Sequence, residues 1–288
     1  MPPTTGYAAE PFLSPVFRDC IDNACLSLHE FAGGNTWIPN LLIDPRWRLN
    51  RADLSGLLQI SIQKAREMLH QAARVTVGKL QPDGIGNQQV AIRIINLTGH
   101  KLPTGYAEGR RMWLQVRAFN ELNEEVFSTC QYVQSTGVLI QDSNCHVFEI
   151  KHGITPSLAN ILGVSSGSSF HFVLNNSVMK DNRIPPAGFT AQALGRRSLA
   201  PVPVGSYQPG QDYAEFIFDG LPSSVVSVTA VLYYQTASKE YIDFLAANGG
   251  LDAQTVKQLW FDIKSPPELV AWGAFPVFQY FYPVVLRK

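Results

Sequence analysis

Residues 76–238 are broken into short runs in which apolar and polar side chains alternate, and a period of two commits such runs to strands. The runs are Val90–Asn96, Met112–Phe119, Val147–Ile150, Phe170–Leu174, Phe216–Phe218 and Val225–Tyr234. Turn signals separate them: Pro82-Asp-Gly, Pro103-Thr-Gly, Pro185-Pro-Ala-Gly and Pro209-Gly. No long helical period interrupts the series. The sequence therefore predicts a mainly β protein whose core is an immunoglobulin-like β-sandwich over 76–238.

The flanks read differently. Residues 1–50 carry Pro, Gly and Asn with recurrent aromatics (Phe12, Phe17, Phe31, Trp37, Trp47), the pattern of an extended arm pinned by rings. Within 51–75 a helix is expected from Asn50 or Asp53 to about Ala73. Its apolar stripe is Leu54, Leu57, Leu58, Ile62, Ala65, Met68, Leu69 and Ala72. Leu57, Leu58, Met68 and Leu69 are expected to pack on the sandwich. Residues 239–288 predict helices over Glu240–Asn248 and Asp252–Phe261, the second with Asp252 as N-cap, and then an aromatic tail. Trp272, Phe275, Phe278, Tyr280, Phe281 and Tyr282 fall in that tail. So many rings in one short stretch point to an interface, either with a second copy or with a partner. Deleting 272–288 is expected to leave a folded domain that no longer assembles.

Charge narrows the partners. Lys+Arg and Asp+Glu number 23 each, so the net charge is zero, which argues against nucleic acid. Only 16% of the 288 residues are charged against 45% hydrophobic, which favours burial against a neighbour. No apolar run reaches the length of a membrane helix, and the first residues show no signal-peptide pattern.

Cys20 and Cys25 are close in sequence, as are Cys130 and Cys145. They read as two short-loop disulfides in an oxidising compartment, or as four buried thiols. The second pair lies on two strand-like runs and is the better candidate. No C-x-x-C occurs, so zinc ribbons and thioredoxin-type redox chemistry are excluded. Nucleophile elbows, H-E-x-x-H, phosphate loops and dinucleotide fingerprints are likewise absent from the sequence, and no enzyme activity is expected. Among the six histidines, His70, His146, His152 and His171 read as structural or solvated. His29 and His100 sit among glycines that let a flat, bulky ligand approach the backbone.

Five ordered blocks carry a resemblance. They are His29-Glu-Phe-Ala-Gly-Gly-Asn-Thr-Trp-Ile-Pro; Asn96-Leu-Thr-Gly-His-Lys-Leu-Pro-Thr-Gly-Tyr with Gly109-Arg-Arg-Met-Trp-Leu; Phe148-Glu-Ile-Lys-His-Gly; Ser169-Phe-His-Phe-Val-Leu-Asn-Asn with Lys180-Asp-Asn-Arg-Ile-Pro-Pro-Ala-Gly-Phe; and Tyr233-Tyr-Gln-Thr-Ala-Ser-Lys-Glu-Tyr. Over roughly residues 26–272 the chain resembles the carboxy-terminal, β-rich region of multihaem c-type cytochromes. The resemblance implies an extracytoplasmic location, and it makes His29 and His100 candidate distal axial ligands of haem. It also meets a departure. Every C-x-x-C-H haem motif is missing, and Cys25 is followed by Leu26. No haem is expected to be covalently bound to this chain, so haem c would come only from a partner or a missing module. A haem-free structural or assembly subunit is expected first, holding a respiratory redox complex or polymerising into a filament. An electron-transfer accessory, or a cytochrome fragment lending histidine ligands to a partner haem, comes second. A hydrolase or carbohydrate-binding sandwich comes third.

Overall fold

The computed structural model describes residues 32–46, 52–105, 108–190 and 207–276, together with four short strand segments within 3–27. Two antiparallel sheets face one another. The larger contains β3 (Arg111–Asn120), β4 (Glu125–Thr129), β5 (His146–Phe148), β9 (Val225–Gln235) and β10 (Glu268–Phe275), in the order β5–β3–β9–β10. β4 also pairs with β3, so β4 and β5 follow one another along the same edge of that strand. The smaller sheet is β8–β2–β1, made of Tyr213–Leu221, Gln88–Asn96 and Ala73–Val77. A third, minor sheet flanks them, in which β6 (Ile150–Ile154) pairs with β7 (Ser177–Asp181) and with Gly167–Ser168.

Alternation decides which side chains meet. Val90, Ile92 and Ile94 of β2 face Met112, Leu114, Val116 and Ala118 of β3 and Val228, Ala230, Leu232 and Tyr234 of β9 in one buried cluster. The chain is thus mainly β, built on an antiparallel two-sheet core. At one flank β10 and β1 come so close that a Cβ on Gly273 would lie 2.8 Å from the Val75 carbonyl oxygen. Only glycine fits there. The other flank is filled by rings. His146 stacks on Phe216 at 3.7 Å between centroids and meets the edge of Phe218 at 5.6 Å.

Among the described residues, five α-helices accompany the sheets: α1 (Trp37–Ile43), α2 (Ser55–His70), α3 (Pro156–Leu162), α4 (Lys239–Asn248) and α5 (Leu251–Ile263). Trp37 and Leu41 of α1, Ile242 of α4 and Leu259 and Trp260 of α5 form a separate small core with Ala237. Arg66 of α2 grips Glu268 of β10 at 2.9 and 3.1 Å, and Thr36 donates to the same carboxylate at 2.7 Å.

Several expectations need correction. Residues 170–174 form a turn and not a strand, because Ser169 and Asn175 satisfy the backbone locally. The Val147–Ile150 run is two strands in different sheets, broken where the Glu149 amide donates to the Asn182 side chain. The stretch before residue 50 contains α1, too short to show a period, with Asn35 accepting from the Ile38 amide at 3.1 Å. α2 opens with a 3-10 turn at Ala52–Leu54, and Leu57 points away from the core. Its buried side chains are Ile62, Ala65 and Leu69, with Met68 packed beside them. In α5 the N-cap is Gly250, and Asp252 lies in the first turn.

The two leucines of α2 separate cleanly in energy. Leu69 is 4% exposed and Leu57 67%. Leu69→Ala is expected to cost about 2–5 kcal/mol in urea unfolding, and Leu57→Ala less than about 0.5 kcal/mol. Equal losses would refute the orientation of the helix.

His146 supplies a pH test. Burial pushes its imidazole below the ordinary value of 6.5, with the Asp142 carboxylate pulling weakly the other way. The unfolded chain then binds the proton more readily than the folded one. Stability is therefore full above about pH 6.5 and falls as the pH drops through that value. His146→Phe is expected to flatten this slope between pH 7.5 and 5.5 in thermal unfolding. An unchanged slope would contradict the assignment.

Candidate functional site

β2 ends at Asn96, and the loop that follows carries His100. The Asn96 side chain organises that loop. Its amide nitrogen donates to the carbonyl oxygens of His100 at 2.7 Å and of Ile184 and Pro185 at 3.0 Å. Its amide oxygen accepts from the Thr98 amide and hydroxyl, both at 2.8 Å. The His100 carbonyl also lies 2.8 Å from the Thr98 hydroxyl, whose one hydrogen is shared between it and Asn96 Oδ1. Leu102 and Ile184 exchange backbone bonds at 2.9 Å in both directions. Loop 97–103 is thereby fastened to residues 184–185 by the Asn96 side chain and by the Leu102–Ile184 backbone pair.

A buried carboxylate anchors the far side. Asp181 receives Lys101 at 2.9 Å and Arg183 at 2.8 Å, and its side chain is fully buried. Burial works to raise this carboxyl, and the hydrogen bonds from Arg183 and Lys101 outweigh it, so its pKa lies below the ordinary carboxylate value. The backbone of the loop is thus fixed while the His100 side chain stays exposed. Apart from its chain neighbours, nothing lies within 4 Å of where a Cβ on Gly99 would be, so the loop is open at that residue.

The other candidates fall into distinct settings. Cys130 and Cys145 are joined by a disulfide with Cα atoms 4.8 Å apart. It closes the excursion between β4 and β5. The Asp142 carboxylate braces that excursion, accepting from Thr129 at 2.6 Å and from the Cys130 amide at 3.1 Å. Trp272 and Phe275 lie in β10, in register with Val231 and Val228. A deletion starting at residue 272 therefore removes half of a sheet strand, which corrects the expectation that it spares the fold. His29, Cys20, Cys25, Phe278, Tyr280, Phe281 and Tyr282 lie outside the described residues.

Two arrangements escaped the sequence reading. His152 of β6 meets the buried Glu108 through Nδ1 at 3.2 Å, a pairing across 44 residues with no local signal. The Asn96 clasp did leave a signal, since Asn followed two residues later by Thr is a common Asx-turn pattern. Only its long-range partners were invisible. Among the described residues, no group of three or more metal-ligating side chains comes together, and no helix is long and apolar enough to cross a membrane.

No protein-family model matches this chain, and no curated protein does. Among solved structures it is similar to a penta-haem cytochrome c552 from Thermochromatium tepidum, with 15% sequence identity and a TM-score of 0.46. The similarity covers 74% of this chain and 41% of that one, so the chain spans less than half the length of its structural neighbour.

The clasp yields a prediction. Asn96→Ala removes the side-chain amide and takes from the Pro185 carbonyl and the Thr98 amide the partner each has in the clasp. A loss of about 2–4 kcal/mol is expected, together with faster hydrogen exchange at residues 97–103 and unchanged exchange in β3 and β9. Uniform acceleration across the whole sheet would show that the clasp is not local.

Proposed function

We propose that this chain is a structural and assembly subunit of an electron-transfer complex, carrying no covalent haem and docking on a haem-bearing partner. The motif blocks around His29 and His100, kept in a chain without any C-x-x-C-H, are the observation that carries this reading. The Cys130–Cys145 disulfide adds support for an oxidising, extracytoplasmic setting. Assembly through the tail, either with the partner or into a filament, remains part of this proposal.

A second reading is favoured by one specific observation. An exposed imidazole on a rigidly fastened loop, with open space beside Gly99, suits presentation of His100 to the iron of a partner's haem. The partner's haem would supply the redox centre. The task of this chain is to hold the imidazole out with little conformational freedom to lose on docking. Asn96 and Asp181 perform that task through the loop backbone.

The experiment uses the purified full-length chain. No haem stain is expected after denaturing electrophoresis, and a retained haem would refute the first reading. A soluble ferric haem peptide with one open axial position is then titrated in. The red-shifted Soret band of low-spin iron is expected to appear, and His100→Ala is expected to weaken binding at least tenfold while leaving the melting temperature unchanged. His70→Ala, an exposed histidine at the end of α2, serves as the control. Equal binding by all three proteins would reject the second reading. Light scattering of a chain truncated after Pro276 tests assembly separately.

A further inference from the structure

The outer face of the larger sheet hides a surplus of hydrogen-bond donors. Arg111 and Trp113 stand two residues apart on β3 and so share that face. Arg111 is 3% exposed and Trp113 0%. The guanidinium carbon lies 5.7 Å from the centre of the Trp113 ring. Arg111 donates Nε to the Gln235 amide oxygen at 2.9 Å and Nη1 to the Glu240 carboxylate at 3.1 Å. Its Nη2 has no partner among the described residues, and neither has Trp113 Nε1.

A third donor stands beside them. Tyr132 packs on Trp113 at 5.8 Å between ring centroids. Its hydroxyl accepts from Gln235 Nε2 at 3.4 Å and still has a hydrogen to give. Burial raises its pKa, with Arg111 pulling the other way, and it stays protonated at neutral pH. The acceptors nearby are already engaged: Gln235 Oε1 with Arg111 Nε, and the Ser265 carbonyl with Gln235 Nε2 at 2.8 Å. The one negative charge against Arg111, on Glu240, is half exposed and so weakened by water.

We propose that Arg111, Trp113 and Tyr132 form a buried site for a small monovalent anion of chloride size. Leaving a buried guanidinium nitrogen and an indole N–H without acceptors is costly, and an acceptor-only ion satisfies donors without adding new ones. The size class follows from the cover. The excursion closed by Cys130–Cys145 lies over this face, and Gly137 packs so tightly on Trp260 that an added Cβ would clash with the indole. The charge class follows from the balance: one guanidinium, already partly offset by Glu240, compensates one negative charge at most.

The test is thermal unfolding of the full-length chain at fixed ionic strength, with chloride replacing gluconate. The melting temperature is expected to rise with chloride, as it does for any ligand of the folded state alone. Trp113→Phe keeps an aromatic side chain and removes the donor, and is expected to weaken the apparent chloride affinity ten- to a hundredfold. Trp37→Phe, which removes another unpartnered buried indole N–H in a different core, is expected to leave the chloride response intact. Bromide-soaked crystals are expected to show an anomalous peak within hydrogen-bond reach of Arg111 Nη2. A wild-type melting temperature indifferent to chloride would overturn the proposal and assign the donors to water. A chloride response unchanged in Trp113→Phe, or lost equally in Trp37→Phe, would overturn it as well.

Discussion

The ladder between β3 and β9 is the constraint on which the molecule rests. It runs from Arg111 opposite Gln235 to Asn120 opposite Val225, the longest pairing in the fold. Alternation along it assigns every side chain to one of two faces. Met112, Leu114, Val116 and Ala118, with their β9 partners, make the buried seam against the smaller sheet. Arg111, Trp113, Tyr233 and Gln235 are turned outward and yet are largely covered. A one-residue slip would exchange the two sets. It would drive a guanidinium into the hydrocarbon core and bring leucines against Glu240, a cost no local adjustment could absorb.

The outward set also organises what lies at the end of the ladder. Gln235 holds Arg111 and the Ser265 carbonyl at once, and the Ser265 hydroxyl accepts from the Ala237 amide at 3.1 Å. The Ala237 carbonyl in turn accepts the Trp260 indole N–H at 3.0 Å. A chain of polar contacts thus runs from the central strand into the small core of α1, α4 and α5. That core is separate in its hydrophobic contacts and continuous in its hydrogen bonds.

Much of this was legible in the sequence, for a physical reason. β2, β3 and β9 are long and half-buried, so their alternation is strong enough to survive local noise, and α2 shows its stripe over sixteen residues. What escaped was decided by polar side chains. Ser169 and Asn175 turn an apolar-looking run into a loop, and Asn182 interrupts a strand from 33 residues away. β10 was hidden for a different reason: its Glu268 looks solvent-bound until Arg66 and Thr36 are brought to it by the fold. At the candidate site, the sequence pointed to His100 as a residue of interest. The clasp that steadies it depends on Ile184 and Pro185, nearly ninety positions away, which no spacing rule can foresee.

The disulfide sets a boundary within the chain. Residues 131–144 leave one edge of β3 after β4 and return to the same edge at β5, and the covalent bond fixes both the exit and the re-entry point. The register of the larger sheet is therefore insulated from whatever happens to the length of that excursion. That freedom belongs to the exposed stretches 134–136 and 140–144, because Tyr132, Gly137 and Leu139 are packed against Trp113 and Trp260. New peptide can be grafted at those exposed stretches while β3 keeps its neighbours and the packed residues keep theirs.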